Sequence, residues 1–561
     1  MYQKPLMIHS NERIIYLMEW LDSNGEIESK LLGFSTLIKA PEEVHTFHIT
    51  PYSVWSAAAK DIRSDEIIDF LNRFSSNSLS DDLKEDIIQW VQDYGTLYLK
   101  RINGGLELIA KHSIIITKIL QDEFVFERKI GEPTENTMYF NLADRAVLKE
   151  RLFSLNLFVI DSTNIFGEPL EINIKPVTLQ NQSFTLRAYQ KEAINHYISN
   201  KDNAGGGGVI ILPPGSGKTL VGLSIISKIK QATLIIVEDE RCAEHWKEEI
   251  KDKTDFDPEH VSYINSENNE ITPLTICTYP YLSQNDHAFN ELMDKDWGLI
   301  IYDDAHRLPA ETYMSTTNLS SKYKVALAST LARSDGRGDL IFPLIGPKWY
   351  ETFPILLQKQ GHIPIIDCIE IKVPLDEITG DKYNTAQIMR NNDDELRGIA
   401  AFNPMKEAVI KQILTKHWDK QILVASYRVN LGKELSEIFR KPIILAGKQE
   451  NINLIEEFNI NERDVLFGTS KVVEQSLFPN LDVLISISYH KGSEREEYLR
   501  VGKFFAVEDI RTKKKYFAVV SEMTVEEGDY VKRRRAMINY GFRFKIIEYR
   551  SIGEGRLNHE S

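Results

Sequence analysis

Nothing in this chain constrains its fold more than "VIILPPGSGKT", residues 209–219. A short run of branched apolar residues enters a loop holding Gly215 and Gly217, and "LVGLSIISKIK" leaves that loop with helical spacing. In a strand–loop–helix of this kind, glycines let the backbone N–H groups turn toward phosphate oxygens at the start of a helix. Lys218 adds a point charge for the phosphates, and the Thr219 hydroxyl stands where a magnesium ion would be held. Pro214, Gly215, Ser216, Gly217, Lys218 and Thr219 are therefore the expected phosphate-binding residues.

The surrounding pattern supplies the sheet that such a loop needs. "ATLIIVE", "TICTY", "GLIIYDD" and "VALAST" read as buried strands interleaved with helices such as "RCAEHWKEEIKD". That alternation predicts a parallel sheet covered on both faces. One of the strands ends in "YDDAH", so Asp303 and Asp304 are expected beside the phosphates, with Asp303 and Thr219 sharing the magnesium ion. Beyond about residue 360 a second set follows: "QILVASY", "PIILAG", "DVLFGTS", "VLISISY" and "KKYFAVVS". The predicted architecture is α/β, with two parallel-sheet domains at 181–360 and 361–550 and a tail at 551–561.

Two smaller units precede them. Residues 1–120 read as a mostly helical, winged-helix-like module, with "SDEIIDFLNRF" and "SDDLKEDIIQWVQDYG" as its clearest helices. "HTFHITPYSVWSAAA" reads as a strand, a proline turn and a short helix. Residues 121–180 read as a small α+β domain, with "EFVFERKI", "TMYFNL", "LNLFVIDST" and "LEINIKPV" as strands around the helix "DRAVLKERLFSL".

A chain of 561 residues is too long for one core. No apolar run approaches the roughly 20 residues that span a bilayer, and the N-terminus lacks a signal-peptide core, so the expected location is the cytoplasm. Cys242, Cys277 and Cys368 are far apart, which argues against a zinc site or a disulfide framework. The net charge of −15 weighs against a nucleic-acid partner, although local basic patches decide that question. "RTKKKY" at 511–516 and "KRRR" at 532–535 are the candidate patches.

The motifs taken in order resemble the XPB-type helicases of superfamily 2, over residues 4 to 548. "LRAYQKEA", with Arg187 and Gln190, is similar to the segment that in this family meets the nucleotide base. "LPPGSGKTLVG" resembles motif I, where Leu212 in place of glycine is ordinary for helicases. "DWGLIIYDDAH" resembles motif II, "ALASTLARSDGR" motif III with the Arg-Glu-Asp element, and "TSKVVEQSLFPNLDVLISIS" motif V. The resemblance implies a two-lobed DNA motor with RecA-like lobes, a DNA-recognition-like role for the α+β domain at 121–180, ATP and Mg²⁺ between the lobes and 3′→5′ polarity, in some relatives paired with a nuclease. It also implies DNA contacts at Arg333, Asp335, Lys471, Lys532 and Arg533, and a coupling role for His306.

Several family positions are altered. Asp304 stands where the family has glutamate, which draws the carboxylate back by about 1.5 Å. Ser334 replaces the glutamate of the Arg-Glu-Asp element, and "SLFPN" lacks the motif V aspartate. Motif VI aligns with 499–506, leaving Arg500 and Lys503 as its cations and Ala506 in place of an arginine. Loss of an arginine finger slows phosphoryl transfer by on the order of a thousandfold or more. The expectation is thus a helicase or translocase with slow ATP hydrolysis, or else a nucleotide- and DNA-binding subunit serving a partner such as a nuclease.

Overall fold

The structure is a computed structural model that describes residues 4–41, 43–162, 165–179, 183–331, 336–390, 392–448 and 450–549. Two seven-stranded parallel sheets dominate it. The first runs in the order Val261–Tyr263, Leu274–Thr278, Thr233–Val237, Trp297–Tyr302, Ser321–Ala328, Gly207–Ile211 and Lys348–Glu351. Every residue of its Gly207–Ile211, Thr233–Val237, Leu274–Thr278 and Trp297–Tyr302 strands is buried, which is why these segments read as unbroken apolar runs. The second sheet runs Ile443–Ile444, Val465–Thr469, Ile422–Ser426, Val483–Ser488, Lys514–Ser521, Ile366–Val373 and Phe544–Glu548. These sheets are the cores of lobe 1 and lobe 2.

The strand order positions the site. Gly207–Ile211, Ser321–Ala328 and Trp297–Tyr302 are neighbours and parallel, so the loops after them open side by side at one edge of the sheet. Those loops carry Lys218, Ser329 and the acids Asp303 and Asp304.

The N-terminal module contains more sheet than its sequence suggests. Leu6–His9, Ile14–Met18, Val44–His48 and Thr36–Lys39 form a four-stranded antiparallel sheet covered by the helices Pro51–Ala58, Ser64–Phe74 and Asp81–Gln92. The three helices lie where their capping and spacing signals place them. The strands are four or five residues each, too short for alternation to stand out from helical spacing.

A second four-stranded sheet joins Thr137–Phe140, Gly105–Ala110, Leu97–Ile102 and Ile160–Ser162, so the hairpin at 97–110 sits with the segment beyond 121. Two expected strands of this region are not strands. "EFVFERKI" contains the helix Glu123–Arg128, started by the Asp122 carboxylate, which accepts the Val125 N–H at 3.1 Å. "LEINIKPV" makes isolated bridges from Ile174 to Thr254 and from Val177 to Ser183, tying the connector to lobe 1.

An ion pair anchors the first small unit to lobe 1, and a buried lysine hydrogen bond anchors the second. Lys359 of helix Pro354–Lys359 reaches Glu19 at 3.2 Å and the Asp22 carbonyl at 3.3 Å. Arg145 and Lys149 pair with Asp161 at 2.7 and 2.6 Å, and Lys149 also donates to the Leu344 carbonyl at 2.9 Å. Burial opposes the charge on Asp161, but these two cations hold its carboxyl far below the usual range. Among the described residues no helix is long and apolar enough to cross a membrane.

Candidate nucleotide cleft

The loop at 212–217 is shaped by two left-handed glycines, Gly215 at φ +72° and Gly217 at φ +82°. A Cβ on Gly215 would lie 2.7 Å from the Gly502 carbonyl of lobe 2, and one on Gly217 would lie 2.5 Å from Gln190 Nε2. The loop carbonyl of Ser216 accepts from Tyr189 Oη at 2.9 Å and from Gln190 Nε2 at 2.7 Å. Gln190 Oε1 in turn accepts the Arg187 N–H at 2.8 Å. Gln190 therefore braces the loop from behind. Arg187 spans the cleft, with Nη1 donating to the Phe505 carbonyl of lobe 2 at 3.1 Å.

Lys218 opens helix Lys218–Ile229, followed by Thr219 in its first turn. Lys218 Nζ donates to Ser329 Oγ at 2.8 Å, so a hydroxyl of the motif III-like segment touches the phosphate-loop lysine.

Asp303 follows strand Trp297–Tyr302. Its Oδ2 accepts from Trp246 Nε1 at 2.8 Å, and its Oδ1 accepts the Asp304 N–H at 2.9 Å. Burial, reinforced by the Asp304 charge, pushes the Asp303 carboxyl up to about 6. Asp304 is held below the usual range: burial acts against its charge, but Lys218 and then His306 favour it. Asp304 has a left-handed backbone (φ +44°) and begins the turn Ala305–Arg307. Burial lowers His306 to about 4, which leaves its ring neutral near pH 7. Two adjacent, half-buried carboxylates whose charges oppose each other suit a hard divalent cation. Asp303 and Thr219 are the residues that would hold Mg²⁺, which would neutralise phosphate charge.

Lobe 2 places its motif VI cations differently from expectation. Arg500 is fully buried, with its guanidinium donating to Ser486 Oγ, to Ser470 Oγ at 2.6 Å, to the Ser488 carbonyl at 3.1 Å and to Glu496 at 2.5 Å. Lys503 Nζ donates to the carbonyls of Glu474 at 2.5 Å and Ser476 at 3.1 Å, and burial lowers it to about 8. Neither side chain is directed at the phosphate loop. It is the backbone at Gly502 and Phe505 that meets Gly215 and Arg187 across the cleft. Sequence reading missed Trp246, Glu238 and Arg495 here. Arg495 Nη2 of lobe 2 pairs with Glu238 Oε2 of lobe 1 at 3.1 Å, and Arg307 pairs with the same carboxylate. The only available signal was a charged residue at a predicted strand end.

The expected DNA-facing residues separate. Arg333 and Asp335 lie outside the described residues. Arg533 is fully buried, donating to the carbonyls of Lys491 at 2.8 Å and His490 at 2.9 Å and pairing with Glu496 and Glu497. With its donors committed inside lobe 2, it does not form a basic surface. Lys532 is exposed one residue away, and in the other basic run Lys514 is buried on Asp482 at 2.8 Å. Lys471 is exposed and lines a cavity of about 510 Å³ at the strand ends of lobe 2, with Lys433, Lys448, His490 and Arg495. Tyr427 and His490 stack within it, with ring centres 4.8 Å apart.

Comparison with known proteins bears on the whole chain. Residues 183–333 match the family described as type III restriction enzyme, res subunit, and residues 357–558 match the ERCC3/RAD25/XPB C-terminal helicase family. Residues 6–132 match a helicase conserved C-terminal domain. DNA 3'-5' helicase XPB of Mycobacterium tuberculosis is 30% identical over 97% of each chain. The protein of the same name from Kineococcus radiotolerans is 28% identical over 98% of each. A subunit XPB of general transcription and DNA repair factor IIH, from Enterocytozoon bieneusi, is 28% identical over 97% of this chain and 92% of its own. Among solved structures, the ATP-dependent type ISP restriction-modification enzyme LlaBIII bound to DNA superposes on 67% of this chain and 32% of its own, with a TM-score of 0.50 at 14% identity, a likeness of fold alone.

Proposed function

The chain belongs to the XPB family of DNA 3'-5' helicases, and from that premise we propose that it is an ATP-dependent DNA motor whose nucleotide binds between the phosphate loop of lobe 1 and the 502–506 segment of lobe 2. The observation that carries this reading is the position of Lys218: its ammonium is bonded to Ser329 and faces the charges of the half-buried Asp303–Asp304 pair, at the edge that lobe 2 covers.

In this reading the left-handed Gly215 and Gly217 aim backbone N–H groups at the phosphates, and Lys218 exchanges Ser329 for a phosphate oxygen. Asp304 orients the attacking water, and Arg187 and Gln190 border the base. Because lobe 2 touches the loop through backbone at Gly502 and Phe505, a nucleotide entering there changes the spacing of the lobes and so the grip on a DNA strand. Lys471, with Lys433 and Lys448 near it, is the proposed lobe 2 contact for DNA phosphates. Turnover is slow in this reading, because Asp304 is short and both Arg500 and Lys503 are committed within lobe 2.

That commitment also favours a second reading, a nucleotide-gated DNA clamp that acts through a partner protein. The two are separated by ATP hydrolysis measured with and without forked DNA, against Lys218→Ala. DNA-stimulated turnover lost in the variant supports the motor. Turnover no higher than in the variant, with DNA binding intact, supports the clamp.

A further inference from the structure

We propose that Arg495 reads the terminal phosphate of the bound triphosphate, and that the Glu238 carboxylate holds its guanidinium in place until that phosphate arrives. The inference rests on the cleft reading above and assigns its missing lobe 2 cation.

Arg500 has its donors shared among two serines, a carbonyl and Glu496, and Lys503 is bound to two carbonyls. Arg495, on the same helix Glu494–Val501, is 49% exposed and extends out of lobe 2 to Glu238. An exposed pair of this kind is weak and exchangeable, whereas a phosphate offers the planar guanidinium two acceptors at once.

The sheet order then gives the direction. From Gly207–Ile211, which leads into the phosphate loop, the strands run through Ser321–Ala328 and Trp297–Tyr302 to Thr233–Val237, which ends one residue before Glu238. Arg187 and Gln190 border the loop near Gly217, and Asp303 and Asp304 lie two strands away from it. A triphosphate with its base at Arg187 therefore extends toward the acids. Arg307, three residues past Asp304, shares Glu238 with Arg495. The pair thus stands at the terminal-phosphate end, and Glu238 occupies the place of an incoming anion.

The test uses the full chain and two fluorescent probes, a non-hydrolysable ATP analogue and ADP, with binding read by anisotropy. Arg495→Gln is expected to weaken the triphosphate about tenfold and to leave ADP within about twofold, the scale of one lost charged hydrogen bond. Glu238→Gln removes the competitor and is expected to tighten the triphosphate severalfold. Lys218→Ala should weaken both probes. If Arg495→Gln leaves the ratio of the two affinities unchanged, or Glu238→Gln fails to tighten the triphosphate, the inference is overturned while the cleft reading stands. If the unaltered chain binds neither probe, both fall together.

Discussion

Asp303 sits half-buried between an indole N–H and a second acid. Its carboxyl titrates near 6 in the folded chain against about 3.8 for an ordinary aspartate. Between those values the folded chain keeps a proton that the unfolded chain has released. The associated stability is present below pH 3.8 and is lost as the pH rises through 6. Asp303→Asn cannot ionise, so without divalent cations its melting temperature should rise relative to the unaltered chain as the buffer moves from pH 4.5 to pH 7.5. A constant difference across that range would show that Asp303 titrates normally. The same residue explains why the acids were legible in sequence while their chemistry was not. Paired carboxylates at a strand end are a local pattern, but the Trp246 bond and the burial come from a helix more than fifty residues upstream.

Helix Glu494–Val501 illustrates what an element's packing does to its side chains. Its Glu496, Glu497 and Arg500 form a buried network with Arg533 of helix Val525–Asn539 and with the hydroxyls of Tyr516 and Tyr530, at 2.6 and 2.7 Å from Glu497. Both arginines expected at a ligand surface are thereby structural. Arg500→Met would leave Glu496 and two serines without their main partner, and is expected to cost about 3–5 kcal/mol in denaturant unfolding. A variant of unchanged stability would mean that Arg500 is not held in this network. The helix was not among the expected elements, although its start signal, Ser493 and the acids after it, is readable from sequence. Which of its faces turns inward is not, because charged residues on a helix conventionally signal solvent and only Arg533 makes their burial tolerable.

At the scale of the molecule, one polar fastening of the N-terminal module to lobe 1 is Lys359, whose ammonium lies among Glu19, the Asp22 carbonyl and Glu28 at 3.2, 3.3 and 3.7 Å. Glu28 is itself buried and bonded to His45. Lys359→Ala should leave these acids buried without a counter-charge and raise the population of an undocked module by about a hundredfold, on the order of 3 kcal/mol. Hydrogen exchange of Ile14–Met18 and Val44–His48 would report it as faster protection loss there than in the lobe sheets. Equal exchange in both chains would place the docking energy elsewhere, in the apolar contact of Phe353 and Leu356 with the module's core.

By itself the sequence determined the two parallel sheets, the phosphate loop and the acids beside it. Each of these is written in short-range form: an apolar run, two glycines before a lysine, a strand that ends in carboxylates. Only the tertiary structure decided which cations of lobe 2 face the cleft, because that depends on pairings such as Arg500–Glu496–Arg533 and Arg495–Glu238. A guanidinium's donors go to the acceptors folding brings nearest, and neighbours in space need not be neighbours in sequence.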